Sequence, residues 1–142
     1  MSLFSFRFQK RRLDDGTYVK ESKIPVTFSA NGNTFPPTMA TIDSGSGVCF
    51  LPLEIAEILG FNKNTAAPSN ADGIGGTEPT GSFNVDVKIE RPHSTKVMRN
   101  VPIFVFLNPD TKFVILGLYP LFEKFDIIFK VEQDRILLKE NI

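Results

Sequence analysis

Asp43, Ser44 and Gly45 place a carboxylate, a hydroxyl and a residue without a side chain at consecutive positions. Two carboxylates held a few ångströms apart cannot both ionise, so they share one proton, and one serves as base while the other serves as acid. The base activates a water and the acid protonates a carbonyl oxygen. Peptide hydrolysis requires both when neither a metal nor a covalent nucleophile takes part. Ser44 offers a hydroxyl to lock the loop, and Gly45 lets backbone and ligand approach closely. The chain carries only one Asp-Ser-Gly, so such a dyad needs two copies of it. Alone, the tripeptide reads more readily as a turn, because all three residue types are turn formers. Its setting lowers the weight of that reading: a buried strand precedes it, and a short strand and a helix follow.

Two further motifs stand downstream. Gly73-Ile74-Gly75-Gly76 reads as a flexible hairpin tip able to fold over a bound ligand. The alternative is a solvent-exposed glycine-rich hairpin with no role. A phosphate-cradling loop is disfavoured, since no Lys-Ser/Thr and no helix signal follow the glycines. Ile115-Leu116-Gly117 closes a short apolar strand, and on pattern alone it is a core strand with a helix after it.

The elements that must position these motifs are mostly strands. Residues 3–8 alternate apolar and polar, as a half-buried strand does. Asp15-Gly16 and Asn31-Gly32 are hairpin turn signals. Strands are expected near Tyr18 and at 24–28, 39–42, 49–51, 83–89, 101–107 and 113–116. A final hairpin, 125–129 with 135–138, turns at Gln133-Asp134. Pro52 opens a helix over 53–59 that Gly60 ends, and residues 119–124 can form a second. Residues 62–80 form a long loop or a hairpin. The sum is all-β: a small closed β structure with one or two short helices, in one domain spanning 1–142.

Composition narrows the function classes. The 142 residues are 42% hydrophobic and 23% charged with a formal net charge of zero, an ordinary globular composition. Zero net charge provides no electrostatic case for nucleic acid or an acidic membrane. No apolar run reaches the roughly 20 residues of a membrane span, and residues 1–12 lack the pattern of a signal peptide. Cys49 is the only cysteine, which excludes an internal disulfide and a cysteine metal cluster. These features predict a cytoplasmic setting, no cofactor and no metal. His93 reads as an exposed turn residue, with no nucleophile elbow to pair with. Cys49 reads as a small, inert core residue. Lys10-Arg11-Arg12 reads as a solvated hairpin end, and Asp14-Asp15 as turn chemistry.

In their order and spacing, the three motifs resemble those of the retropepsin family, the single-lobed aspartic proteases of retroviruses and their cellular relatives. The resemblance covers residues 24–138. Ala40-Thr41-Ile42-Asp43-Ser44-Gly45-Ser46 is similar to the catalytic loop, Gly73-Ile74-Gly75-Gly76 to the flap tip, and Ile115-Leu116-Gly117 to the motif that threads under the active site. Phe125-Asp126-Ile127-Ile128-Phe129 resembles the strand after the family's short helix.

The resemblance implies a closed β-barrel of the acid-protease type, active as a two-fold homodimer. Each subunit contributes Asp43 to hold the attacking water, and Ser44 binds across the interface. Two flaps close over an extended peptide, so Ser46, Gly73, Ile74, Gly75 and Gly76 are the implied substrate-binding residues. The retroviral pattern commonly places an Asp two residues after the catalytic Gly and an Arg after the later Gly. Here those positions are Gly47 and Leu118, a paired loss that reads as replacement of an ion pair. Residues 1–23 are an extension expected to add a hairpin, and residues 136–142 are a candidate dimer strand. A second reading, from a different class, is a non-catalytic dimeric peptide-binding or assembly module with the same fold.

Overall fold

The computed structural model describes residues 3–73 and 76–141. Its strands are β1 (Leu3–Phe6), β2 (Gln9–Arg12), β3 (Tyr18–Glu21), β4 (Lys23–Ala30), β5 (Asn33–Thr34), β6 (Thr38–Ile42) and β7 (Cys49–Pro52). Helix α1 (Leu53–Ile58) follows, then β8 (Pro68–Gly73), β9 (Gly76–Arg91), β10 (Ser94–Phe106) and β11 (Ile115–Leu116). A kinked helical turn, Leu118–Phe122, leads to β12 (Phe125–Lys130) and β13 (Arg135–Glu140). None of the helices is long and apolar enough to cross a membrane among the described residues.

Six strands close a barrel in the order β4-β6-β11-β7-β10-β9, with β9 pairing back to β4. Period-two alternation sets which side chains fill it. Ile24, Val26 and Phe28 point inward from β4, Val85, Val87 and Ile89 from β9, and Ile103 and Val105 from β10. β9 and β10 are long antiparallel partners whose register shifts between Met98 and Val101. There Asn100 adopts a left-handed φ of 54°, and its N–H donates to Asp86 Oδ1 at 2.8 Å. Two contacts in the barrel are parallel: β7 with β10, and β6 with β11. The Asn31-Gly32 turn has positive φ at both residues, as hairpins of this length demand.

A separate sheet, ordered β1-β13-β12, packs against the barrel. Phe4, Phe6, Phe125, Ile136 and Leu138 are buried in the common core, and the Phe4 and Phe125 rings meet edge to face at 5.7 Å. The hairpin expected within residues 1–23 forms around Asp15-Gly16, but it does not take in the whole segment. The hairpin lies at β2–β3, whereas β1 pairs with β13 because its Phe4 and Phe6 need the core. The candidate dimer strand also differs. β13 has both edges occupied, by β1 and β12; Ile142 lies outside the described residues.

α1 begins after extended Pro52 and buries Leu53, Ile55 and Ala56. Gly60 follows it at φ 99°, and the Asn31 side chain donates to the Leu59 carbonyl at 3.0 Å. The strand expected over 113–116 shrinks to Ile115–Leu116. Its chain must leave the ladder at once to pass Gly117 beneath loop 43–48, and Phe113 turns outward, 65% exposed.

Candidate active site

Asp43 is the first residue after β6 and lies where that strand runs between β4 and β11. Ile42 is fixed from both sides: its N–H donates to the Ser22 carbonyl at 2.8 Å, and its carbonyl accepts from the Ser22 hydroxyl at 3.1 Å. The Asp43 N–H then donates to Leu116 O at 3.0 Å. The Asp43 carboxylate accepts the Gly45 N–H at 2.8 Å, and its carbonyl accepts the Ser46 N–H at 3.2 Å. The tripeptide is therefore a turn, as its composition suggests, but a turn built around its own carboxylate. That carboxylate is half-buried, whereas Ser44 and Gly45 are exposed. The Ser44 hydroxyl finds no hydrogen-bond partner among the described residues.

The loop is held from below by the residues after β11. Leu118 N–H donates to Ser46 O at 2.8 Å and Tyr119 N–H donates to Gly47 O at 3.0 Å. These two backbone bonds tie the residues after Gly117 to the Asp43 loop. The Ser46 hydroxyl donates to Val48 O at 2.7 Å, so it is committed within the loop. Gly117 is required by space. A Cβ there would stand 2.2 Å from Val48 O and 2.6 Å from Ser46 O, both backbone atoms. Cys49, next along the chain, is buried, and burial raises its thiol pKa. That keeps it in the unreactive protonated form at neutral pH.

A cleft of about 870 Å³ opens over this loop. Asp43, Gly45, Ser46, Gly47 and Val48 line one wall, and the hairpin β8–β9 lines the other with residues 70–73 and Gly76. Phe50, Phe106 and Ile115 line it as well, and the Phe50 and Phe106 rings stack 4.9 Å apart at 11°. Across the hairpin, the Thr77 hydroxyl donates to Asp72 Oδ1 at 2.7 Å. One residue further from the tip, the Thr111 hydroxyl donates to Glu78 Oε1 at 2.6 Å.

The fold thus brings Asp43, Gly45, Ser46, Gly73 and Gly76 around one cleft. Ile74 and Gly75, expected beside them, lie outside the described residues. Phe50, Phe106, Asp72 and Glu78 were not evident from sequence. Phe50 hides in a continuous apolar run in which Cys49 and Leu51 face the core and Phe50 the opposite side. Phe106 is concealed in the same way at the end of β10.

No protein-family model matches the sequence, and no curated protein matches it either. Solved structures do. A retropepsin-like aspartic protease from Rickettsia conorii superposes with a TM-score of 0.60 at 17% identity, over 96% of this chain and 91% of that one. The EIAV protease complexed with the inhibitor HBY-793 gives a TM-score of 0.49 at 19% identity, over 73% of this chain and 88% of that one. The first likeness runs nearly end to end and includes the closed barrel that carries Asp43: this chain has the fold of the retropepsin-like aspartic proteases.

Proposed function

We propose that the chain is an aspartic endopeptidase that works as a homodimer, with one Asp43 from each subunit forming the catalytic pair. A single observation carries this reading: Asp43, a half-buried carboxylate that the Gly45 N–H pre-orients, stands in the wall of a cleft of about 870 Å³ that the hairpin β8–β9 faces. In the pair, one carboxylate takes a proton from a bound water while the other, protonated, donates to the scissile carbonyl oxygen. The tetrahedral intermediate collapses as the first carboxylate, now protonated, passes its proton to the leaving nitrogen while the second, now ionised, takes a proton from one of the intermediate's hydroxyls, which restores the starting state of the pair. Ser44, exposed and without a hydrogen-bond partner among the described residues, bonds across the interface and holds the two loops together. Gly45 keeps the approach to the carboxylate clear.

The hairpin β8–β9 acts as the flap. Gly73 ends β8 and Gly76 begins β9, and the main chain of Gly73, Ile74, Gly75 and Gly76, with that of Ser46, grips the substrate as an added strand. Phe50, Phe106 and Ile115 give the cleft an apolar floor suited to apolar substrate side chains.

Asp43→Asn keeps the Gly45 N–H bond and removes the titratable group. It should cost at least about 10²–10⁴-fold in kcat, the usual contribution of a general acid–base group, with the folded protein unchanged by circular dichroism. Full residual cleavage of an unfolded protein substrate by this variant would overturn the proposal.

A further inference from the structure

The cleft over Asp43 carries charge of one sign. Asp43, Asp72 and Glu78 are the only charged side chains among the described residues that line it. Lys112, next to Thr111 in the chain, is not among them. Its ammonium pairs with Glu54 Oε2 at 3.2 Å, and the residue lines a separate cavity of about 300 Å³ beside α1. A cleft walled by low-dielectric protein focuses the field of such uncompensated carboxylates and concentrates cations within it.

The ladder registers separate the two carboxylates of the hairpin. Thr80 lies directly opposite Phe106, and opposed residues project to the same face. Phe106 lines the cleft, so Thr80 and, two residues away, Glu78 belong to the cleft side. Ala71 stands opposite Glu78, and Gly73 opposite Gly76, on that same face. Among these four residues Glu78 alone has a side chain larger than a methyl group. Asp72 and Thr77 are opposed on the other face, exposed and bonded to each other. The Thr111 hydroxyl occupies Glu78 Oε1. Glu78 Oε2 has no hydrogen-bond or ion-pair partner among the described residues.

We infer that Glu78 selects peptide substrates that carry a lysine or arginine side chain beside apolar residues. The inference rests on the reading of this cleft as the peptide site and names the class of peptide that fills it. A long cationic side chain suits both parts of the lining. Its methylene stem lies on the apolar floor of Phe50 and Phe106, and its charged head reaches Glu78 Oε2. The bond from Thr111 already orders the carboxylate, so less rotamer freedom is lost on binding. Asp72 adds to the field from the opposite face of the hairpin. An acidic side chain in the same place would meet uncompensated carboxylates, so the cleft rejects it. In the proposed dimer the two-fold axis places one Glu78 on each side of the Asp43 pair, so a cation is favoured on either side of the scissile bond.

Matched peptides test this preference. Each carries lysine, glutamine or glutamate at one position and is otherwise identical, and that position is walked along both sides of an apolar pair. At the preferred position kcat/KM should be about tenfold or more higher for lysine than for glutamine, as a hydrogen bond between charged groups provides, and lowest for glutamate. Glu78→Gln keeps an oxygen for the Thr111 hydroxyl and removes the charge. It should bring the lysine-to-glutamine ratio close to one, which the loss of a merely structural residue would not do. The same peptides bound to Asp43→Asn, followed by fluorescence anisotropy, read the preference without cleavage. Equal cleavage of lysine and glutamine peptides, or a preference that survives Glu78→Gln, would overturn the inference and leave the endopeptidase standing. Lysine-selective binding that Glu78→Gln abolishes, with no cleavage by the wild type, would overturn the endopeptidase and leave the peptide class standing. Peptides neither cleaved nor bound would overturn both.

Discussion

Loop 43–48 and hairpin β8–β9 face each other across one cleft but are secured differently. Backbone bonds to Leu116, Leu118 and Tyr119 tie the loop, and Gly117 fits beneath it with no room for a methyl group. The hairpin has mostly exposed residues, and its side-chain anchors are two hydroxyl–carboxylate bonds, Thr77 to Asp72 and Thr111 to Glu78. Regions with few buried contacts open at low free-energy cost, whereas densely bonded ones open only with the fold. The contrast suits a site in which one wall holds reacting groups in place and the other admits and encloses a ligand.

Gly117→Ala attacks the fixed wall and should have the largest effect. Backbone atoms at 2.2 and 2.6 Å cannot yield as a flexible side chain would, so urea unfolding should show a loss at or above the top of the roughly 1–3 kcal/mol typical of overpacking. Cys49, which donates to Tyr119 O at 3.4 Å, reports on the same wall. Its thiol should react negligibly with a thiol reagent in the native wild type and measurably in Gly117→Ala. Wild-type stability and a silent thiol in the variant would mean that the wall is looser than these contacts imply.

Thr111→Val frees the hairpin from the segment after β10 by removing a bond to the Glu78 carboxylate. A cost of about 1–2 kcal/mol is expected from a partly buried charged hydrogen bond, with a rise in KM larger than any fall in kcat. Thr77→Val removes an exposed bond nearer the tip. Its stability should change by less than about 0.5 kcal/mol, with hydrogen exchange in 68–73 accelerated while that in β6 is not. Equal acceleration in both would erase the contrast between the walls.

Much of the fixed wall was legible because it is written in local chemistry. Asp43-Ser44-Gly45 is a turn-forming string after an apolar strand, and Gly117 stands at the end of another, so residue types alone marked both. The strand alternations in β4 and β9 and the turns at Asn31-Gly32 and Gly60 were legible for the same reason. The parallel contacts β7–β10 and β6–β11 were not, because nothing local encodes which distant strand a short apolar run will join. The Asp15-Gly16 hairpin was legible as a local turn signal, but the pairing of β1 with β13 was not, because the burial of Phe4 against Phe125 is a contact between the two ends of the chain. Phe50 escaped notice because a run of three apolar residues conceals which faces the cleft.

The central claim is that one chain holds half of a catalytic pair. Wild type and Asp43→Asn can be unfolded together, refolded in varying ratio and assayed at constant total protein. Random pairing makes the population of dimers with two Asp43 carboxylates proportional to the square of the wild-type fraction, so an equal mixture should retain about a quarter of the activity. A linear decline, with half the activity at equal mixing, would show that each chain works alone and would contradict a site shared across two subunits.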